Sequence, residues 1–556
     1  MSIKLRKHRL KIVFLLFSLF STALLIRLSY LQIYKSSILA QQAAEARNYY
    51  IPAEKYLRGD IVDRNGKSLL DSKEEPALIV VPSMIKSSEN IRKLANILKE
   101  DPRKIEEKIF RSKGMSYGNA PRVIKYSLGS QEKSTIEKED IEGVFIVPIK
   151  MRYGPGSLAR HLVGHLMVGK GVKGIERIYD VELTNNSPDF FWKVVFDARG
   201  NVIPGLSFKK VLVKEQKEKQ ILLTIDKEIQ RIVEKIMDEN VNRGAVVVMN
   251  PYNGDILAAA SRPNFFQKEI GKDDENINYL NKAFEHYYPG SIYKLVVAAA
   301  ALEENIVKPG ENFYCSGQHV FSSGLTINCW NEEGHGNLTF NEALALSCNS
   351  TFIEIALRLG RYNLFKYSKK FGLTSDDILG YPLPEFTPVN IDYGPGKVAN
   401  ASMGQEGIRV TPVQIAALIS CIANGGTRVT PRVVQGIVDE NGNYTKSIAS
   451  NVSGPVMSKE NAEKLQNMLT EATLWGTGKN AWIPEIGAAG KTGSAETGAT
   501  DEEGNSVLNA WFAGYAPLDN PRYTVVVLVE GGKSGGTSAA PVFKEIMSNI
   551  LKKERE

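Results

Sequence analysis

Ser291 and Lys294 stand three apart in Pro289-Gly290-Ser291-Ile292-Tyr293-Lys294, directly before the apolar run from Leu295 to Leu302. On a helix two such residues share a face, about one turn apart. A serine hydroxyl attacks a carbonyl only when a base takes its proton. A lysine serves as that base only when neutral, a state favoured by burial or by a second cation nearby. Pro289-Gly290 marks the turn into the helix and places Ser291 at its positive end, where developing negative charge is favoured. The spacing alone is weak, because Ser83/Lys86, Ser130/Lys133 and Ser207/Lys210 share it. Those three pairs lack the apolar helix behind them and read as surface coincidences.

Two further groups add to this pair. Ser347-Cys348-Asn349 lies between Leu344-Ala345-Leu346 and the helical stretch Phe352 to Leu359. By itself it reads as a helix cap, and Ser88-Glu89-Asn90 has the same form. Lys491-Thr492-Gly493-Ser494 follows Ala488-Ala489-Gly490 and occurs once. In an edge strand, alternation puts Lys491 and Gly493 on one face and Thr492 on the other. Gly493 would admit close approach of a ligand backbone; the plain reading of the same residues is a turn.

Positioning these groups requires a scaffold drawn from both ends of the second half of the chain. Ile221 to Ile225 reads as a strand, and Asp226 caps an amphipathic helix to about Val241 with Ile229, Ile232, Val233 and Ile236 on one face. Ala245 to Met249 and Ile256 to Ala260 flank a Pro/Asn/Gly turn, a hairpin signal. Ala510 to Ala516 and Tyr523 to Val529 are further strands, and a helix over Ala540 to Leu551 closes the chain. The stretch 290–475 between them is rich in helix. The pattern predicts an α+β domain whose sheet is built from distant parts of the chain. Before it lies a mixed, polar region with strand-like runs such as Ala77 to Val81 and a charged helical stretch from Asn90 to Phe110. The charged segment Lys214 to Gln220 reads as a linker.

The chain has 556 residues, room for two to four domains. Its net charge of +7 is modest for that length and gives no nucleic-acid signal. Lys4, Arg6, Lys7, Arg9 and Lys11 precede an apolar run from Ile12 that reaches Tyr34 if Arg27 snorkels to the interface. About 20 apolar residues cross a bilayer, so 1–11 is expected as a cytoplasmic tail and 12–34 as an uncleaved anchor, with the remainder outside the cytoplasm. A cleaved signal peptide would need the small-residue site Ala44-Glu45-Ala46, far beyond the run. Four cysteines are present, Cys315, Cys329, Cys348 and Cys421. A Cys315–Cys329 disulfide is open and would contribute about 3 kcal/mol. There is no C-x-x-C pair, so no metal is expected; His161 and His165 are four apart but lack a visible third ligand, and His335 reads as a loop residue.

Ser-x-x-Lys, Ser-Asp-Asn and Lys-Thr-Gly in this order form an established signature of penicillin-binding proteins and class A β-lactamases, so the assignment comes from resemblance rather than from spacing. The chain resembles class B, monofunctional penicillin-binding proteins over almost its whole length. Tyr288-Pro289-Gly290-Ser291, Cys329-Trp330 with His335-Gly336, Gly404-Gln405 and Ala423-Asn424-Gly425-Gly426 are similar to the transpeptidase domain. Arg58-Gly59-Asp60-Ile61, Ala159-Arg160-His161 and Gly174-Ile175-Glu176 resemble the pedestal that precedes it. The resemblance implies a penicillin-binding/β-lactamase-like fold, an antiparallel sheet flanked by helices, over 216–556, with a pedestal, or dimerisation-like, domain over 35–215. It implies a D-Ala-D-Ala transpeptidase that cross-links peptidoglycan stem peptides through a serine acyl-enzyme and is acylated by β-lactams. Ser291 would be the nucleophile, Lys294 the base, Ser347 a proton relay with Lys491 beside it. Asn349 would bind the donor peptide, Thr492 its carboxylate, and the N–H groups of Ser291 and Ser494 the oxyanion. No cofactor is implied, and a polytopic glycosyltransferase of a wall-synthesis complex is the expected partner. A D,D-carboxypeptidase, a β-lactamase, or a non-catalytic β-lactam sensor or scaffold are the alternatives. Two departures stand out: Cys348 in the middle of the second motif and Ser494 where Thr is frequent.

Overall fold

The structure is a computed structural model and describes residues 3–45, 48–110, 120–184, 189–197, 199, 201–203, 205–214, 219–268, 279–375, 377–383, 389–500, 504 and 506–555. Of the expected linker, residues 215–218 lie outside the described residues, as does Ala46 of the rejected cleavage site. Two compact units interleave in sequence: Met1–Leu57, Lys73–Arg152 and Pro188–Gln216 form one, and Arg58–Ser72, Tyr153–Ser187 and Lys217–Glu556 the other.

The first unit begins with a helix Ile3–Ser29 that continues through a π-helical turn Tyr30–Tyr34. Lys7–Tyr34 contains an 18-residue stretch with a mean hydropathy of 2.1 and is long and apolar enough to cross a membrane. Its large side chains, Phe14, Phe17 and Leu25 among them, are exposed on all sides. Beyond it, Arg122–Lys125, Lys73–Val80 and Val144–Met151 form an antiparallel sheet with Lys73–Val80 at its centre. Leu78 and Val80 pack on Leu94, Leu98, Ile105 and Ile109. The helical stretch expected over Asn90–Phe110 is formed by two helices, Ser88–Leu98 and Pro102–Phe110. Lys99 turns left-handed (φ 55°) and Pro102 starts the second, because a proline is tolerated in a first turn but not in a helix interior.

In the second unit, α1 (Lys227–Asn240) is capped by Asp226, whose side chain accepts from the N–H groups of Glu228 and Ile229, a contact worth about 1 kcal/mol. There follow β1 (Gly244–Met249), β2 (Ile256–Arg262), α2 (Lys294–Glu303), α3 (Asn349–Lys370), α4 (Pro412–Ala423), β3 (Ala489–Thr500), β4 (Ser506–Ala516), β5 (Tyr523–Glu530) and α5 (Ala540–Arg555). The sheet runs β2-β1-β5-β4-β3, antiparallel throughout, with β3 at the edge. Its first two strands come from before the helical stretch and its last three from after it. α1 and α5 cover one face: Val233, Ile236, Phe543 and Ile546 share a core with Val246, Val248, Phe512 and Val527. α4 packs on β1 and β5 from the helical side, and α2 runs through that lobe against α3. Every residue of α2 from Lys294 to Leu302 is buried, as expected for a helix that is apolar all round.

Candidate active site

Ser291 lies in a 3-10 turn, Gly290–Tyr293, that leads without a break into α2. Two contacts hold this turn: Trp511 Nε1 of β4 donates to Tyr288 O at 3.1 Å, and the Gly290 N–H donates at 3.0 Å to Gly404 O, in the turn after the helix Pro395–Ser402. Gly290 has φ +58°, and a Cβ there would stand 2.6 Å from Ser494 O. A Cβ on Gly493 would stand 2.6 Å from Pro289 O and 2.9 Å from Ile292 Cγ1. The close approach at Gly493 is therefore made by the chain's own Pro289–Ile292 turn, where the sequence suggested a ligand backbone.

One turn along, Lys294 is fully buried and its Nζ donates to Ser347 O at 2.8 Å, Asn349 Oδ1 at 2.7 Å and Ser347 Oγ at 3.3 Å. The first and second motifs thus meet at one nitrogen, which also lies 5.6 Å from the centre of the Phe352 ring. Ser347 holds φ +56°, a left-handed conformation that costs a non-glycine residue roughly 1 kcal/mol or more. It turns the Ser347 carbonyl onto Lys294. Cys348 then caps α3 in an extended conformation, and the Asn349 side chain donates to Asn328 O at 3.3 Å.

The third motif lies on β3, with Lys491 opposite Ala513, Gly493 opposite Trp511 and Ser494 opposite Ala510. Alternation does what the sequence suggested. Thr492, Ser494 and Glu496 line a cleft of about 790 Å³ that also holds Ser291, Ser347 and Asn349, while Lys491 and Gly493 are buried behind it. Thr492 Oγ1 is 2.8 Å from Thr477 Oγ1, and Ser494 Oγ accepts from the Gly535 N–H at 3.2 Å.

Among the described residues no carboxylate pairs with either buried lysine. Burial pushes Lys294 down to about 8, against the opposite pull of Cys348 and Cys329. Burial, and after it the Lys294 charge, holds Lys491 well below the usual lysine range; among the described residues its Nζ donates only to Thr492 O, at 3.1 Å. A low-dielectric site with two cations and, among the described residues, no paired carboxylate favours releasing a proton, the condition a lysine base needs.

Behind Cys348 lies a feature not legible in the sequence. All four cysteines are free thiols, so the Cys315–Cys329 disulfide is not formed. Cys315, Cys329, Cys348 and His335 instead converge, their ligand atoms all within 4.8 Å of one another. Cys329 is lowered because Cys348 donates to it, and Cys348 is raised for the same reason. The expectation of no metal rested on the missing C-x-x-C spacing, and that ground is lost. At His161 and His165 the short helix Arg160–Val163 ends at Gly164, and both rings lie edge-on to Phe265.

Thr477 and the loop Ser534–Thr537 line the cleft without having been singled out from sequence. The glycine-rich run Gly531-Gly532-Lys533-Ser534-Gly535-Gly536 was the available signal for the loop. A Cβ on Gly535 would stand 2.2 Å from Trp511 O. Nothing in type or spacing marks Thr477.

The family model of the penicillin binding protein transpeptidase domain matches residues 244–548, and that of the penicillin-binding protein dimerisation domain matches 53–203. Stage V sporulation protein D of Bacillus subtilis is 31% identical over 545 residues, covering 94% of this chain and 82% of its own length. A peptidoglycan D,D-transpeptidase FtsI homolog of Mesostigma viride is 26% identical over 98% of this chain and 95% of its own. Peptidoglycan D,D-transpeptidase MrdA of Haemophilus influenzae is 26% identical over 89% and 84%.

Proposed function

We propose, from the premise that this chain belongs to the penicillin-binding protein transpeptidase family, that it is a membrane-anchored peptidoglycan D,D-transpeptidase working through a serine acyl-enzyme. The observation that carries the serine mechanism is the convergence of Ser291, Lys294, Ser347, Asn349 and the Lys491–Ser494 strand on one cleft.

In this reading Ser291 Oγ attacks the carbonyl of the penultimate D-Ala of a stem peptide. Lys294, held by Ser347 and Asn349, receives the hydroxyl proton. Ser347 hands a proton to the leaving D-Ala amine, and buried Lys491 stays beside the relay without adding a fixed charge. The donor peptide lies along the free edge of β3 as an added strand. Thr492 meets its terminal carboxylate, supported by Thr477. The N–H groups of Ser291 and Ser494 hold the oxyanion, a contribution often worth about 3–4 kcal/mol. The amine of a second stem peptide then takes the acyl group. A β-lactam enters the same sequence and remains on Ser291. The apolar helix near the N-terminus, the one candidate span among the described residues, fits a one-pass anchor with the catalytic unit on the extracytoplasmic side. A polytopic glycosyltransferase is the natural partner, since this chemistry acts on strands that another enzyme polymerises.

The test is peptide mass spectrometry of the full chain in detergent mixed with benzylpenicillin over time. A persistent adduct on the Ser291 peptide, absent in Ser291→Ala, is expected. An adduct that is seen to form and then clears quickly would replace transfer by hydrolysis. No adduct on folded protein would sink the serine mechanism.

A further inference from the structure

The geometry points to a closed, tetrahedral zinc site formed by Cys315, Cys329, His335 and Cys348, which braces the Ser347–Asn349 segment beside the nucleophile. The four side chains come from separate stretches: the end of strand Asn312–Cys315, the turn after Thr326–Asn328, the loop before Gly336–Thr339, and the cap of α3. Their ligand atoms lie within 4.8 Å of one another, and Cys329 Sγ is 3.6 Å from His335 Nδ1. A tetrahedron with Zn–S of about 2.3 Å and Zn–N of about 2.05 Å has an S···N edge of roughly 3.6 Å. The three thiol sulfurs are buried, and the second imidazole nitrogen, His335 Nε2, is buried with no hydrogen-bond partner among the described residues.

The donor set selects the ion. Three thiolates and an imidazole in tetrahedral array suit Zn²⁺ and disfavour Mg²⁺ or Ca²⁺, which take oxygen ligands. Four protein ligands leave no open position, so the role is structural. On binding, the three thiols release three protons and the imidazole stays neutral, leaving one net negative charge. The surroundings accommodate it: the Asn349 N–H donates to Cys329 Sγ at 3.4 Å, Thr351 Oγ1 donates to Cys348 Sγ at 3.3 Å, and Ser350 Oγ lies 3.5 Å from Cys315 Sγ. These are three consecutive residues in the first turn of α3, whose positive end faces the cluster. Such outer contacts orient metal ligands and tune their basicity. Cys348 sits between the two residues that hold Lys294 Nζ, so an ion on its sulfur fixes the backbone on both sides of that contact. This last consequence rests on the function proposed above; the metal site does not.

The experiment uses the full chain in detergent, purified without chelator or histidine tag. Elemental analysis is expected to find one zinc per chain, retained in Cys421→Ser and lost from Cys315→Ser and His335→Ala. Cobalt(II) exchanged for zinc should give thiolate-to-metal charge-transfer absorption together with tetrahedral d–d bands. Should those variants fail to fold, the wild-type chain serves: stripping zinc should lower its melting temperature and adding Zn²⁺ restore it. Acylation of Ser291 by benzylpenicillin should slow at least about 10-fold on stripping, the scale of a disturbed supporting shell. A zinc-free chain with a disulfide between any two of Cys315, Cys329 and Cys348 would overturn the site, as would cobalt without thiolate bands. Zinc-stripped protein acylated at the full rate would overturn the brace. A chain that binds zinc yet is never acylated would uphold the site and overturn the functional reading instead.

Discussion

Arg58 and Lys294 are both buried cations in the same compact unit, and they are surrounded in opposite ways. The Arg58 guanidinium meets Glu176 at 3.0 Å and Asp180 at 2.7 Å, and also donates to the carbonyls of Glu176 and Gly169. Tyr153 donates to the second Glu176 oxygen at 2.8 Å. Lys294 meets two carbonyl oxygens and a hydroxyl, all neutral, and lies near a second buried lysine. A buried charge that is matched is held in one protonation state and acts as a structural tie. A buried charge left unmatched titrates near neutrality and can move a proton. The family's Arg58-Gly59-Asp60 and Ser291-x-x-Lys294 segments therefore differ in purpose for a reason visible in their partners.

Replacing the titrating cation by one that cannot titrate is the sharpest way to separate the two. Lys294→Arg should lower the benzylpenicillin acylation rate by about 10³-fold while the protein still folds, because the guanidinium never offers a lone pair; stopped-flow acylation together with a thermal melt reads both. The converse is Glu176→Ala, which leaves a buried guanidinium short of a partner. It should destabilise by about 3–5 kcal/mol in denaturant titration, with the acylation rate per folded molecule unchanged. A smaller effect tests placement rather than charge. Gly493→Ala forces its Cβ against Pro289 O and Ile292 and should slow acylation roughly 10–100-fold by shifting the nucleophile turn. The smallest effect is a pH dependence. Lys294 is depressed to about 8, so its proton is on below that pH and off above it. The acylation rate should rise about tenfold per unit up to pH 8 and then level. The Glu176 variant should keep the same profile, and a midpoint shared by Lys294→Arg would refute the assignment.

The residues that meet at the candidate cleft are legible because their types are rare in such surroundings: a serine and lysine before an apolar helix, and a single Lys-Thr-Gly. Strand alternation separated Thr492 from Lys491 correctly, and the two hairpin strands, the Asp226 cap and the C-terminal strands and helix appear where the periodicities put them. What escaped depends on tertiary proximity. Cys315, Cys329, His335 and Cys348 follow no ligand spacing, so only the folded chain assembles them. Thr477 reaches Thr492 from a turn whose local sequence says nothing about its neighbour. The left-handed Ser347 has no glycine or asparagine to announce it. The break at Pro102 was readable, yet a charged periodicity across Asn90–Phe110 masked it.

The register of β1 against β5, which pairs Gly244 with Val529 and Met249 with Thr524, has a consequence for biosynthesis. Until the last strands have been synthesised, β1 has a bare edge and Ser291 has no strand behind it. A chain of this topology folds late and slowly, because its decisive pairings close a very long loop. A transcript truncated before Tyr523 would thus produce no weakened enzyme but an exposed apolar edge, and its fate would be aggregation or proteolysis.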